Sequence, residues 1–340
     1  MNVCRMGYIS VLFLLVSLVL ASCSFGDGDL LDSTFRPRNT WKKLSPIFNP
    51  SAIAERGGCG LAYAGDGRLI LFGGNPGPLG DTWRLDTNDG ISWTQLSTAS
   101  SPSGRTGTAM VHIGNGKIIL YGGSAGSNET WEYDTSANTW TNKSVGTTTG
   151  RSNHAMTYTG EGKVILYGGS TGGDETWEYD VNANTWTNLT PTSSPTARSN
   201  HAIVYIERGR VILFGGSGLT NDTWEYNISY KEWKQRIANG DADSPPARQN
   251  HRMVYLGDNR VLLFGGNNGT TYYNDTWIYN TGTREWTEVV TDVVPDARAL
   301  HGMAKSGNGE IMIFGGYDGS VYNNSIWQFY YGPVTYELPW

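Results

Sequence analysis

The run Val211-Ile212-Leu213-Phe214-Gly215-Gly216, followed by Trp224 and then Trp233, decides the architecture of this chain. An apolar run ends in a diglycine, and two tryptophans come after it. The chain does this six times. The diglycines are Gly73-Gly74, Gly122-Gly123, Gly168-Gly169, Gly215-Gly216, Gly265-Gly266 and Gly315-Gly316, spaced 49, 46, 47, 50 and 50 residues apart. A period of about 50 residues with a Gly-Gly and a Trp per unit marks propeller blades or solenoid units, which bury their apolar faces only against neighbours.

Residues 198–235 serve as the template of one unit. Arg198-Ser199-Asn200-His201 leads into a short apolar strand, a, at Ala202–Tyr205. Glu207 to Arg210 is a tight turn. Val211–Phe214 is strand b, apolar on both faces and so suited to an inner, doubly covered position. Asp222–Tyr226 is strand c, alternating acids with aromatics, and Glu232–Lys234 is strand d. Four antiparallel strands of about five residues make one blade. Six such blades predict an all-β, six-bladed propeller over residues 39–331.

Strand c carries Trp83, Trp131, Trp177, Trp224, Trp277 and Trp327. Strand d carries only Trp93, Trp140, Trp186, Trp233 and Trp286. The sixth is Trp41, in Asn39-Thr40-Trp41-Lys42-Lys43-Leu44, ahead of the first complete unit. The simplest account is ring closure, with the N-terminal strand docking as strand d of the last blade. Val334–Leu338 is the competing candidate for that strand. Each buried Trp removes roughly 150–250 Å² from water, worth at most about 4–6 kcal/mol. An open ring would expose one such face at each end, and closure also removes unpaired edges.

The pattern resembles the kelch repeat: Arg-x-x-His opening strand a, an apolar strand into Gly-Gly, an acid before Thr-Trp, Tyr-Asp, then Trp. The resemblance covers about residues 40–330 and implies a β-propeller of six blades.

The chain has 340 residues, 38% hydrophobic and 16% charged, with a net charge of -6. No Lys/Arg run occurs, which argues against nucleic acid as a partner. Arg5 precedes an apolar run from Val11 to Leu20, and Ala21-Ser22 follow, so residues 1–22 read as a signal peptide. Leu20-Ala21-Ser22-Cys23 resembles a bacterial lipobox, which implies that Cys23 carries lipid, that residues 23–38 are a tether, and that the membrane is met only through this anchor. Residues 332–340 form a tail unless they supply the closing strand. With Cys4 in the signal and Cys23 lipidated, Cys59 is left alone and reads as a buried small hydrophobe. The propeller is expected to be a monomer of the cell envelope.

Antiparallel order sorts the loops. The b–c and d–a loops and the start of strand a share one end of the propeller, here face X; the tight a–b turns and the c–d turns share face Y. Loops on face X vary in length and composition, which is where binding usually lies. Tyr272, Tyr273, Tyr317 and Tyr322 cluster there on blades 5 and 6, suited to stacking on a carbohydrate or peptide. Arg56, Arg105, Arg151, Arg198, Arg248 and Arg298 all open strand a and are expected to form a cationic ring at the channel mouth. The kelch resemblance supports this, since peptide-binding members can line the pocket with arginines at this place; guanidinium forks suit carboxylates. The competing reading pairs each Arg with an acid or carbonyl of the neighbouring blade. Asn153, Asn200 and Asn250 lie two residues on and would add neutral hydrogen bonds.

His154, His201, His251 and His301 follow three residues after the Arg in four consecutive blades. A whole blade separates neighbours, so no metal site is expected. Asp81, Glu129, Glu175, Asp222 and Asp275, before the strand-c Trp, read as turn caps. No nucleophile motif, phosphate loop or carboxylate pair stands out, and no cofactor is implied. The reading is a non-catalytic binding platform for a protein or a glycan, anionic ligands included. The alternative is an enzyme on acidic sugars, because sialic-acid mutarotases are secreted six-bladed kelch proteins of similar length.

Overall fold

The computed structural model describes residues 39–331, apart from 46–52, 89, 125–126, 144–148, 172 and 308. The signal, Cys23, tether and tail readings therefore lie outside the described residues. The first strand is β1 (Thr40–Leu44). Blade 1 is β2 (Gly60–Gly65), β3 (Arg68–Phe72), β4 (Thr82–Asp86) and β5 (Ser92–Leu96); blade 2 is β6 (Ala109–His112), β7 (Lys117–Tyr121), β8 (Thr130–Asp134) and β9 (Thr139–Asn142). Blade 3 is β10 (Ala155–Gly160), β11 (Lys163–Tyr167), β12 (Thr176–Asp180) and β13 (Thr185–Asn188); blade 4 is β14 (Ala202–Tyr205), β15 (Arg210–Phe214), β16 (Thr223–Asn227) and β17 (Glu232–Ile237). Blade 5 is β18 (Arg252–Gly257), β19 (Arg260–Phe264), β20 (Thr276–Asn280) and β21 (Glu285–Glu288), and blade 6 supplies β22 (Gly302–Lys305), β23 (Ile311–Phe314) and β24 (Ile326–Tyr330).

Five sheets take their four strands in chain order, and the sixth runs β1-β24-β23-β22. The N-terminal strand thus completes blade 6, with Trp41 opposite Phe329 and Thr40 opposite Tyr330. Trp41 is buried and its ring packs on Phe264 and Phe329. The expected closure is what the molecule does.

The core is six wedges, one at each blade junction. Strand b supplies both sides of a wedge, which is why it is apolar throughout: Val211, Ile212, Leu213 and Phe214 are all fully buried, Ile212 and Phe214 facing blade 5 while Val211 and Leu213 face blade 3. The a–b turns take left-handed backbone at two successive positions, as at Asp66 (φ 51) and Gly67 (φ 69), which matches the twist of a tight hairpin.

The diglycine is the joint between blades. The N–H of Gly123 donates to the Arg151 carbonyl of the next blade at 2.9 Å. A Cβ on Gly122 would stand 2.4 Å from that same oxygen, at a φ of 67 that side chains disfavour. The bond recurs at every junction, and Gly316 N–H to Arg56 C=O at 2.8 Å closes the circle.

A second tie runs along the outer strands. The indole N–H of five of the six strand-d Trp donates to the first Thr of strand c in the preceding blade: Trp140 to Thr82, Trp186 to Thr130, Trp233 to Thr176, Trp286 to Thr223 and Trp41 to Thr276, all at 2.9–3.0 Å.

Candidate binding face

The six arginines are placed inside the blades, not in the channel mouth. Each is almost wholly buried. Arg198 shows the arrangement. Its guanidinium donates to both oxygens of Asp222 at 2.7 and 2.9 Å, to the Gly215 carbonyl at 3.0 Å, and to the Thr196 and Thr220 hydroxyls. Arg56 pairs with Asp81, Arg105 with Glu129, Arg151 with Glu175 and Arg248 with Asp275. The partner is the acid of the same blade, not of the neighbour. These acids are also not turn caps: each accepts the indole N–H of the strand-c Trp two residues on, as Asp222 does from Trp224 at 2.7 Å. Arginine, acid and Trp form one cluster at the face-X end of each blade. Burial pushes the Asp222 carboxyl up, but the Arg198 guanidinium more than offsets this and holds it below the usual Asp range.

Blade 6 departs from the pattern, because Ser325 stands where the acid should be. Arg298 donates to the Ser325 hydroxyl at 3.1 Å and to the Gly315 carbonyl at 2.9 Å, and its nearest carboxylate among the described residues is the exposed Asp296 at 3.7 Å. Burial without a close carboxylate lowers Arg298 to about 10.

Asn153, Asn200 and Asn250 belong to a ring of backbone hydrogen bonds rather than a row of free amides. Around the axis, Gly107 N–H donates to Gly58 C=O, Asn153 to Gly107, Asn200 to Asn153, Asn250 to Asn200, Leu300 to Asn250, and Gly58 to Leu300, at 2.7–3.0 Å. All six residues are left-handed, with φ between 57 and 67. Asn is placed here for that backbone conformation, which it tolerates better than most side chains. The signal is in the sequence: the position two after the Arg is Gly in blades 1 and 2, Asn in blades 3 to 5 and Leu300 in blade 6.

The histidines sit at four successive junctions. His154 stands edge-on to Tyr121 at 5.3 Å, His201 to Tyr167 at 5.4 Å, His251 to Phe214 at 5.5 Å and His301 to Phe264 at 5.4 Å. Burial, reinforced by the nearby arginine charge, pushes His154 and His201 down to about 3, so both are neutral. Cys59 replaces the His in blade 1 and is buried.

The tyrosines divide. Tyr273 lies over the Arg248 guanidinium, 4.3 Å from its ring centre, and its hydroxyl accepts from Asn268, so it lids a structural ion pair. Tyr272, Tyr317 and Tyr322 instead form a continuous half-exposed shelf. Tyr272 meets Tyr317 edge-on at 5.9 Å, and Tyr317 meets Tyr322 at 4.9 Å. Tyr317 and Tyr322 face each other across a short hairpin, and Gly319 at its tip lies so close to Tyr272 that a Cβ would come within 2.8 Å of the ring. Tyr322 reaches Gly57 of blade 1. Val321, in the same hairpin, is 57% exposed.

Six blades of this build, each stapled by an Arg–acid–Trp cluster or its blade-6 variant, define a kelch-type β-propeller. The family model of the KLHDC2/KLHL20/DRC7 Kelch-repeats domain matches residues 30–216 and 209–337, and the chain belongs to that family. No curated protein matches it.

Proposed function

We propose that the protein is a non-catalytic binding platform whose contact surface is the tyrosine shelf on face X, and that its ligand is a partner protein. The observation that carries this is the shelf itself. Three half-exposed tyrosines and an exposed valine stand together on loops of blades 5 and 6, held by a rigid frame. Tyrosines offer large contact area at low entropic cost and are enriched where proteins meet. The repeated arginines are occupied by internal partners, so contact through aromatic faces is favoured over capture of an acidic ligand by an arginine ring. Aromatic faces also stack on sugars, and a glycan is the outcome that would redirect the reading.

The apolar run 11–20 and Leu20-Ala21-Ser22-Cys23 support export and lipid attachment at Cys23, which would place the platform in the cell envelope. The test is affinity capture from envelope extracts, run beside a glycan array, with wild type and a Tyr272→Ala, Tyr317→Ala, Tyr322→Ala triple variant. Loss of a protein ligand on triple substitution supports the reading. Capture unchanged by the triple variant overturns it, and shelf-dependent glycan binding replaces the protein ligand with a sugar.

A further inference from the structure

Six arginines repeat with the blades; a seventh does not. Arg252 is the first residue of β18, the innermost strand of blade 5. The other five blades fill that position with Gly60, Ala109, Ala155, Ala202 and Gly302. These small residues line an axial cavity of about 140 Å³, and Arg252 lines it with them. Arg252 also borders a smaller pocket of about 30 Å³ walled by the six residues of the peptide ring. It therefore stands where the ring meets the cavity.

The contrast with the repeated arginines is chemical. Arg198 has a bidentate carboxylate, a carbonyl and two hydroxyls. Among the described residues, the Arg252 side chain makes one hydrogen bond, from Nη1 to the carbonyl of its neighbour His251 at 3.2 Å, and has no carboxylate within ion-pair distance. The ionisable groups around it are Cys59, His251 and His301. Burial raises the Cys59 thiol and lowers both histidines, so none is an anion at neutral pH. A guanidinium offers five N–H donors and keeps its proton. Arg252 is half-buried and lines the cavity, so its remaining donors are left for whatever fills that space.

We propose that the axial cavity beneath the peptide ring binds one small anion, a halide or an oxyanion no larger than acetate, with Arg252 as its cationic ligand. The volume suits several waters or one such ion with water. The site is distinct from the tyrosine shelf and does not depend on it.

Thermal unfolding in sodium bromide, formate or acetate, compared with sodium gluconate at equal ionic strength, tests this. Gluconate is the bulkiest of these anions and carries its charge on a long hydroxylated chain. Wild type is expected to melt at least a few degrees higher in the small anions, since a ligand of the folded state alone raises stability. Arg252→Ala copies blades 2 to 4 and is expected to fold; it should lose that difference. An equal melting point in all salts for wild type, or a difference that persists in Arg252→Ala, overturns the proposal. Crystals of wild type grown in bromide give a second readout, independent of whether the variant folds. An anomalous peak beside the guanidinium is expected, and a cavity without one overturns the site.

Discussion

Five blade junctions obey one rule and the sixth, where blade 6 meets blade 1, breaks it. Between regular blades, a strand-d indole donates to a threonine of the preceding strand c. At the closing junction that threonine is Ile326, and the buried Trp93 indole N–H has no hydrogen-bond partner among the described residues. Regular blades neutralise the first arginine with an acid, whereas blade 6 offers Ser325. The peptide ring uses Gly or Asn at five left-handed positions and Leu300 at the sixth. The backbone bond from the diglycine is nevertheless intact at the seam, at 2.8 Å. Backbone geometry is thus common to all six junctions, while the indole–threonine tie has been given up at one. Closure rests on apolar burial and on β1.

The largest expected effect comes from attacking β1. Trp41→Ala should cost about 3–5 kcal/mol through lost burial and packing. Trp41 fills the regular junction between blades 5 and 6 from a strand far in sequence from its own blade, and Trp186→Ala makes a cavity of the same chemistry where strand d follows directly on its blade. Denaturant unfolding with limited proteolysis compares them, and if β1 is the weak attachment the Trp41 variant alone becomes sensitive to cleavage near its N-terminus. Equal behaviour would show the docking of β1 to be no weaker than a strand continuous with its blade.

Next is the acid. Asp222→Asn leaves Arg198 buried without its counter-charge and should cost about 3–5 kcal/mol. The sign with pH follows from the lowered Asp222 carboxyl: its contribution is present above the usual Asp range and is lost as pH falls through the folded value. Wild type should therefore lose this stability on acidification, while Asp222→Asn shows a shallower acid dependence. Unfolding midpoints measured across acidic pH check both.

Ser325→Asp runs the comparison in reverse by giving Arg298 the acid its siblings have. A gain of about 1.5–3 kcal/mol in denaturant unfolding is expected, the scale of a hydrogen bond to a charged group. The smallest effects are in the indole tie. Thr130→Ile copies the seam into a regular junction and should cost about 1–3 kcal/mol by orphaning the Trp186 N–H. Ile326→Thr should recover less, about 1 kcal/mol, because restoring the bond to Trp93 is partly offset by lost apolar burial. Each is read from the unfolding midpoint at unchanged slope.

Much of the fold was legible because packing repeats. An apolar run read six times establishes blade number and phase, and a missing sixth strand-d Trp points to Trp41. The arginines' partners are hidden in the sequence for a physical reason. A cation at the start of the innermost strand looks like a ligand-binding group until the loop before strand c is folded back against it, and the acid lies two dozen residues away. Asn153, Asn200 and Asn250 were read for their amides when their backbone conformation was the point. Arg252 escaped notice for the opposite reason: it repeats nowhere, and reading by period discards what does not recur. The tyrosines were visible as a cluster, but only the structure separates Tyr273, committed to Arg248, from the other three.

The pairing of Thr40 with Tyr330 has a geometric consequence. Both residues lie at the face-Y end of the outermost strands of blade 6, so the chain enters and leaves the propeller at one point on its rim. The tyrosine shelf lies at the other end of the same blade and its neighbour. Ligand contact at the shelf and entry of the chain into the propeller are thus separated by the length of a blade.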